Sequence, residues 1–172
     1  GTEPLPENLG DLGKKVLDNN ADIGFAVDPD ADRLAIVNNF GQPLGEEYTL
    51  VLAAEGFLKE VGKGQDIVTN LSTTIALEKM AEKNDSKVQR TAVGEINVVK
   101  RMIEIGSNIG GEGNGGVILK EAHLGRDSLV GVAMILNRLS QDADKSISEI
   151  HNTLPQFNIV KDKVQLDQID ES

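Results

Sequence analysis

The sequence has no cysteine and no tryptophan, and aromatic residues make up only 3% of its 172 residues. Without cysteine the chain forms neither disulfides nor thiolate metal sites, which fits a reducing compartment. With so few aromatic side chains, the core must be built from Val, Ile, Leu, Ala and Met, a composition common in α/β proteins. The hydrophobic content of 39% is typical of a soluble globular protein.

Basic residues are also few, since 17 Lys and Arg stand against 28 Asp and Glu and the formal net charge is −11. Such a charge repels nucleic acid, and the basic residues form no patch that would oppose it, so we expect no nucleic-acid partner. No stretch approaches the roughly 20 apolar residues that a membrane span requires, and no targeting segment is visible. The sequence therefore predicts a cytoplasmic protein without membrane association.

Apolar spacing along the chain predicts alternating strands and helices. The predicted helices cover residues 8–19, 46–61, 74–83, 95–105, 128–139 and 146–154, and the predicted strands cover 21–27, 34–37, 66–70, 87–92, 108–111 and 117–119. The short connections of the βαβαβ order favour a mainly parallel sheet. The predicted fold class is α/β, with a three-layer, mixed, mainly parallel sheet and helices on both faces.

A glycine-containing turn near residues 41–45 is the predicted boundary within the chain. It separates residues 1–43, which hold one helix and two strands, from a compact α/β unit over residues 44–155. Residues 156–172 have the composition of a linker. At helix starts, Asp127 is the expected N-cap of the helix from 128, and Ser72 and Thr73 are expected to cap the helix that follows them.

Three carboxylates occupy every second position directly after the first strand, in Asp28-Pro-Asp30-Ala-Asp32-Arg33. Their mutual repulsion in one tight loop must be offset by protons, cations or hydrogen bonds, and oxygen ligands suit Mg²⁺ or Ca²⁺ rather than zinc. Three protein oxygens would leave positions on Mg²⁺ for water or a phosphate oxygen. The guanidinium of Arg33 matches a phosphate, and pairing with a neighbouring aspartate is an equally good alternative.

A calcium-binding EF-hand loop begins with the same spacing of acids. However, its sixth position must be glycine and its twelfth Glu, where this chain has Arg33 and Asn39. An acidic surface turn with hydrogen-bonded aspartates is the remaining structural alternative, because Asp is common in turns. The spacing favours a metal site.

A second motif is the glycine-rich segment Gly-Gly-Glu-Gly-Asn-Gly-Gly at residues 110–116. It contains a G-x-G-x-x-G pattern, but a dinucleotide-binding fingerprint turns into a helix, whereas this segment leads into another predicted strand. Glu112 and Asn114 could instead hydrogen-bond vicinal sugar hydroxyls. A simple glycine hairpin is the alternative, since glycine is common in tight turns.

Together these motifs resemble those of the α-D-phosphohexomutases. Residues 28–33, here called the metal loop, resemble the metal-binding loop of that family, and residues 111–116, here called the sugar loop, resemble its sugar-recognition loop. Three further segments are similar, at residues 4–9, 91–95 and 123–127. The resemblance covers nearly the whole chain, from late in the family's second domain, through the third, into the linker toward the fourth.

The resemblance implies an enzyme that transfers phosphate between the 1 and 6 positions of a hexose through a bisphosphorylated sugar and a phosphoserine. It implies Mg²⁺ as cofactor and a hexose phosphate as substrate, with phosphoglucosamine or phosphomannose favoured. The residues that it assigns are Asp28, Asp30 and Asp32 as metal ligands, Arg33 as catalytic support for the transferring phosphate, and Glu112, Asn114 and Gly115 as sugar-binding residues.

The sequence departs from the family pattern at several positions. Members often carry Ser and His near Asn114 and Gly116, and many have Lys where this chain has Ala92. These 172 residues contain no Ser-His-Asn-Pro type segment and no phosphate loop after Pro155. We therefore expect the chain alone to be inactive as a mutase and to depend on the missing domains of a full-length protein. A non-catalytic sugar-phosphate or metal-binding module, or a structural interaction domain, are the alternatives.

The remaining chemical side chains carry weaker expectations. His123 and His151 lack neighbours typical of metal ligands, so we expect surface or helix-end roles. A family role of His123 near Arg126 is the alternative for that residue. Arg126 and Asp127 are adjacent and are expected to pair locally.

Overall fold

The computed structural model describes residues 8–157, which contain a two-stranded and a four-stranded sheet. The helices are α1 (Gly10–Asp18), α2 (Glu47–Val61), α3 (Ala76–Lys83), α4 (Glu95–Ile105), α5 (Ser128–Ser140) and α6 (Ile147–Thr153). The strands are β1 (Ile23–Val27), β2 (Leu34–Asn38), β3 (Asp66–Asn70), β4 (Lys87–Thr91), β5 (Ile109–Glu112) and β6 (Gly116–Leu119).

The two-stranded sheet is an antiparallel hairpin that ends at the metal loop. Its ladder closes with Val27 opposite Leu34, so residues 28–33 form the connection between β1 and β2. Helix α1 packs on this hairpin by burying Val16 against Val37. Gly13 lets α1 approach the turn after β2, because a side chain there would overlap the carbonyl oxygen of Gly41. The hairpin thereby fixes both ends of the metal loop.

The four-stranded sheet has the order β4-β3-β5-β6, with β3 parallel to β4 and β5, and β6 antiparallel to β5. Helix α4 covers one face through Val98 and Met102. Helices α2, α3 and α5 cover the other face and enclose the largest apolar cluster. The predicted α/β fold with a mixed, mainly parallel sheet and helices on both faces is confirmed.

Helix α2 is the central element of the larger cluster. Five successive residues from Leu50 to Ala54 are fully buried, because the helix lies between the sheet and α5. At Gly56 the backbones come close, since an added side chain would lie 2.9 Å from the Cβ of Arg138. Among the described residues, no helix is long and apolar enough to cross a membrane.

Helix starts differ in part from the prediction. Asp127 is the N-cap of α5 as expected, since its carboxylate accepts hydrogen bonds from the backbone N–H groups of Leu129 and Val130. Helix α3 has Ile75 at its N-cap and no side-chain cap, so the predicted cap by Ser72 and Thr73 is wrong. The Thr73 hydroxyl lies instead 2.7 Å from that of Thr69, inside a buried polar network. The predicted tail lies largely outside the described residues.

Replacing Leu50 by Ala should destabilise the fold. Its side chain is fully buried, and leucine-to-alanine changes in cores typically cost about 2–5 kcal/mol because they leave a cavity. Leu136→Ala is the matched control, since Leu136 is also helical but 47% exposed. Urea denaturation of both variants measures the difference. Equal losses of stability would contradict the assigned core.

Candidate functional site

The metal loop brings its three carboxylates together. One oxygen atom each from Asp28, Asp30 and Asp32 can be chosen so that all lie within 4.8 Å of one another. Their environments differ, since Asp28 is buried, Asp32 is partly buried and Asp30 is exposed. The alternation of acidic positions thus produces a cluster that is open to solvent at Asp30.

Hydrogen bonds within the loop hold this shape. Asp28 Oδ1 accepts from the backbone N–H groups of Asp32 and Arg33, both at 3.1 Å. The backbone N–H of Ala31 donates to the Asp28 carbonyl at 3.0 Å, and Ala31 has φ of 58°, a left-handed conformation that costs a residue with a side chain about 1–2 kcal/mol. Asp28 is therefore both a candidate ligand and the structural centre of the loop.

Arg33 lies beside the acids that precede it. Its Nε is 3.6 Å from Asp28 Oδ2 and 3.9 Å from Asp32 Oδ1. The pairing with neighbouring aspartates that the sequence left open is therefore present. The same position places a guanidinium at the edge of the acidic cluster, where it can reach an anion bound there.

Asp32 has one carboxylate oxygen paired with Arg126 and one that is not hydrogen-bonded. Its Oδ1 is buried and accepts no hydrogen bond within the described residues, which is costly for an ionised group. Burial raises the pKa of Asp32, and the charges of Asp28 and Asp30 add to this, while the Arg126 guanidinium opposes it. An orphaned oxygen beside two further carboxylates fits a hard divalent cation, so these residues could hold a metal ion.

The sugar loop forms the turn of the β5–β6 hairpin and packs on the end of the metal loop. The Gly115 carbonyl accepts a hydrogen bond of 3.0 Å from the backbone N–H of Leu34, the residue that follows the metal loop. Gly115 has φ of 93°, and an added side chain would lie 2.6 Å from the Leu34 carbonyl oxygen. Asn114 is partly buried, and its Oδ1 accepts from the Gly116 N–H at 3.2 Å.

Glu112 lies at the start of the sugar loop and is buried. Its Oε1 accepts from Asn70 Nδ2 at 2.6 Å and from the Gly94 N–H at 3.1 Å, and its Oε2 accepts from Arg126 Nη1 at 2.7 Å. Because a carboxylate has about four acceptor positions, three protein donors leave roughly one for a ligand. Glu112 thus orders the end of β5 and connects it to the segments of Asn70, Gly94 and Arg126.

The structure adds Arg126, whose partners the sequence did not reveal. Its guanidinium binds Asp32 of the metal loop and Glu112 of the sugar loop, and its Nε lies 3.5 Å from Glu95 Oε2. The expected local pair of Arg126 with Asp127 is wrong, because Asp127 caps α5 and binds His123 Nε2 at 3.0 Å. Asp32 lies 94 positions away in sequence, so no local pattern indicates the contact.

The two loops belong to segments with known relatives. Residues 45–157 match the family described as phosphoglucomutase/phosphomannomutase, alpha/beta/alpha domain III, and residues 2–41 match alpha/beta/alpha domain II of the same proteins. The chain belongs to the phosphoglucomutase/phosphomannomutase family. The metal loop lies in the segment that matches domain II, and the sugar loop lies in the segment that matches domain III.

Individual relatives agree with this membership. The chain is 37% identical over 161 residues to a phosphoglucomutase/phosphomannomutase of Thermococcus kodakarensis, covering 94% of this chain and 35% of that protein. It is 32% identical over 167 residues to a phosphoglucosamine mutase of Nitratidesulfovibrio vulgaris, covering 91% and 37%. The chain therefore spans about a third of the length of the curated relatives it matches.

Solved structures show the same fold. A phosphoglucomutase/phosphomannomutase family protein from Burkholderia thailandensis superposes with a TM-score of 0.77 at 32% identity, covering 88% of this chain and 32% of that one. A phosphoglucomutase from Paramecium reaches a TM-score of 0.67 at 23% identity, which shows the fold alone.

Asp127→Ala should destabilise the chain at neutral pH by about 1 kcal/mol, the usual cost of losing an N-cap, while Asp127→Asn retains most of the cap. The hydrogen bond from His123, followed by that from the Val130 N–H, lowers the pKa of Asp127 from 3.8. Its charge-dependent contribution is therefore present above pH 3.8 and is lost as the pH falls through the lower folded-state pKa. Urea denaturation at neutral and strongly acidic pH measures this, and a constant difference from Asp127→Asn would contradict it.

Proposed function

We propose that this chain is the metal- and sugar-binding part of a phosphohexomutase, an enzyme that moves phosphate between the 1 and 6 positions of a hexose. The observation that carries the proposal is the direct contact between the two loops. The Leu34–Gly115 hydrogen bond and the shared partner Arg126 join residues 28–33 to residues 111–116, which supports a cation and a sugar bound side by side. A phosphoryl-transfer enzyme needs this proximity between the cation and the sugar that carries the phosphate.

In this proposal Asp28, Asp30 and Asp32 hold Mg²⁺. The donor set supports this ion, since it consists of carboxylate groups alone, and one of them, Asp32, has an oxygen without a hydrogen bond. When bound, Mg²⁺ stabilises negative charge that develops on phosphoryl oxygens during transfer. Arg33, at the rim of the cluster, supports the transferring phosphate from the same loop.

The proposed sugar contacts are Glu112, Asn114 and Gly115. Asn114 Oδ1 accepts a hydrogen bond from the Gly116 N–H. Its amide NH₂ group is therefore the part that can donate to a sugar hydroxyl. Glu112 is held in place by three donors and offers an acceptor position to a hydroxyl. One acceptor group and one donor group on the same hairpin suit paired hydroxyls of a substrate that must be accepted in two orientations.

The proposed substrates are hexose phosphates, with glucosamine or mannose phosphates favoured. Relatives are named phosphoglucomutase/phosphomannomutase and phosphoglucosamine mutase, which supports the class without separating its members. In the proposed arrangement, residues 1–43 complete a second domain, 44–155 form the third, and 156–172 lead to a fourth. The other domains of the full-length cytoplasmic enzyme supply the phosphoserine and the contacts to the distal phosphate.

The metal assignment is tested by titrating the chain with Mg²⁺ or Mn²⁺ in a calorimeter. The wild-type chain should bind one ion in a saturable manner, and the variant with Asp28, Asp30 and Asp32 all changed to Asn should lose this binding. The loss is expected because amides do not supply the anionic oxygens that offset the dehydration of Mg²⁺.

The control variant changes Asp11, Asp18 and Asp22 to Asn. These residues are exposed, and the substitutions alter the net charge by the same amount. Binding that falls equally in both variants would show diffuse attraction to an acidic surface and would contradict a site at the metal loop.

The activity is tested in a chimera in which these residues replace the matching third of the Thermococcus kodakarensis relative. We expect the chimera to interconvert hexose 1- and 6-phosphates, and the chain alone to show no turnover. The chimera with all three loop aspartates changed to Asn should lose activity while keeping the melting temperature that the unsubstituted chimera has without Mg²⁺. A folded, metal-binding chimera that converts none of the glucose, mannose or glucosamine phosphates would contradict the proposed function.

A further inference from the structure

Arg126 forms ion pairs with carboxylates from three separate segments of the chain. Its side chain is 13% exposed, and its guanidinium contacts Asp32 in the metal loop, Glu112 at the end of β5 and Glu95 at the start of α4. Glu95 also accepts a hydrogen bond of 2.8 Å from the Arg126 backbone N–H. The planar guanidinium suits this role, because its donors point in fixed directions and can serve several carboxylates at once.

The path of the Arg126 side chain depends on Gly116. A methyl group built on Gly116 would overlap Arg126 Cδ, so the arginine crosses the sugar loop through space that only a glycine leaves empty. The absence of a side chain at Gly116 therefore makes room for the Arg126 side chain, in addition to any conformational requirement of the turn. Along this route Arg126 reaches Asp32.

We propose that Arg126 is a positioning residue that transmits the metal occupancy of the metal loop to the sugar loop; this inference rests on the proposed function. Arg126 Nη2 binds Asp32 Oδ2, and Asp32 Oδ1 is the oxygen without a hydrogen bond. With a cation bound, Asp32 would present less negative charge to Arg126, and their pair would weaken. The guanidinium then interacts more strongly with Glu112, which sets the start of the sugar loop.

The reverse effect must have the same size. Coupling between two binding sites is reciprocal, so a sugar that draws on Glu112 alters metal affinity by the same factor. Metal affinity by itself is a poor measure of the role. Removing Arg126 raises the negative charge of the metal loop, which favours a cation, and also loosens Asp32, which disfavours it. Coupling between the loops is the quantity that separates a positioning residue from a merely structural ion pair.

The experiment is a Mg²⁺ titration of the ¹⁵N-labelled chain, followed through its backbone amide signals. In the wild-type chain we expect shifts at Asp32 and Arg33 and, in parallel, at residues 113–116. In Arg126→Gln the metal-loop shifts should remain and the sugar-loop shifts should be lost. Arg126→Lys should not restore them, because one ammonium group lacks the fork that holds two carboxylates. Shifts shared with the triple Asn variant are subtracted as diffuse binding.

Two further variants keep the test decisive. Gly116→Ala leaves the charge of Arg126 intact but blocks its route, and it should also abolish the sugar-loop response. Arg138→Gln is the matched control, because Arg138 is nearly buried and pairs with Glu55 and Asp142 away from the loops. This control should retain the sugar-loop response.

The outcomes separate the inference from the function on which it rests. A sugar-loop response that persists in Arg126→Gln or Gly116→Ala overturns the proposed role of Arg126 and leaves the metal site intact. If the amide signals of the wild-type chain shift only at the metal loop, the proposed role of Arg126 is overturned and the metal site again stands. Absence of any metal-loop shift in the wild-type chain overturns both the inference and the metal assignment.

Discussion

Concentrated negative charge is the constraint on which this site depends. Asp28 lies beside Asp32, and Asp32 shares Arg126 with Glu112, although all three carboxylates are at least partly buried. Such a set is stable only if donors or cations surround it. Backbone N–H groups serve Asp28, and Asn70, Gly94 and Arg126 serve Glu112. Of these three carboxylates, Asp32 has a buried oxygen, Oδ1, that accepts no hydrogen bond within the described residues, and a metal ion bound there would compensate it.

The carboxylates are brought together by two hairpins, one from each of the two sheets. The β1–β2 hairpin holds both ends of the metal loop, and the β5–β6 hairpin presents the sugar loop. Helix α5 connects them, since the Ser128 N–H donates to the Ala31 carbonyl at 3.1 Å, directly beside the Asp127 cap. Residues that match domain II of the family therefore contact residues that match domain III.

Much of the fold could be predicted from the sequence because its elements follow strong local patterns. The apolar strand 66–70 and the amphipathic segment 95–105 were assigned correctly, and the capping role of Asp127 follows from its position before an apolar helix. Thr73 was assigned wrongly, because its hydroxyl turns toward Thr69 and the Gly113 N–H instead of the helix start. That choice depends on a hairpin 40 residues further along the chain.

By itself, the sequence determined the alternation of acids in the metal loop, the glycines of the sugar loop and the family resemblance that both carry. These are local features, fixed by residue type and spacing. Only the tertiary structure decided that Arg126 leaves its neighbour Asp127 and binds Asp32 and Glu112. The physical reason is that a charged side chain pairs with whatever the fold brings within reach, and contacts across 94 residues leave no periodic signal in the chain.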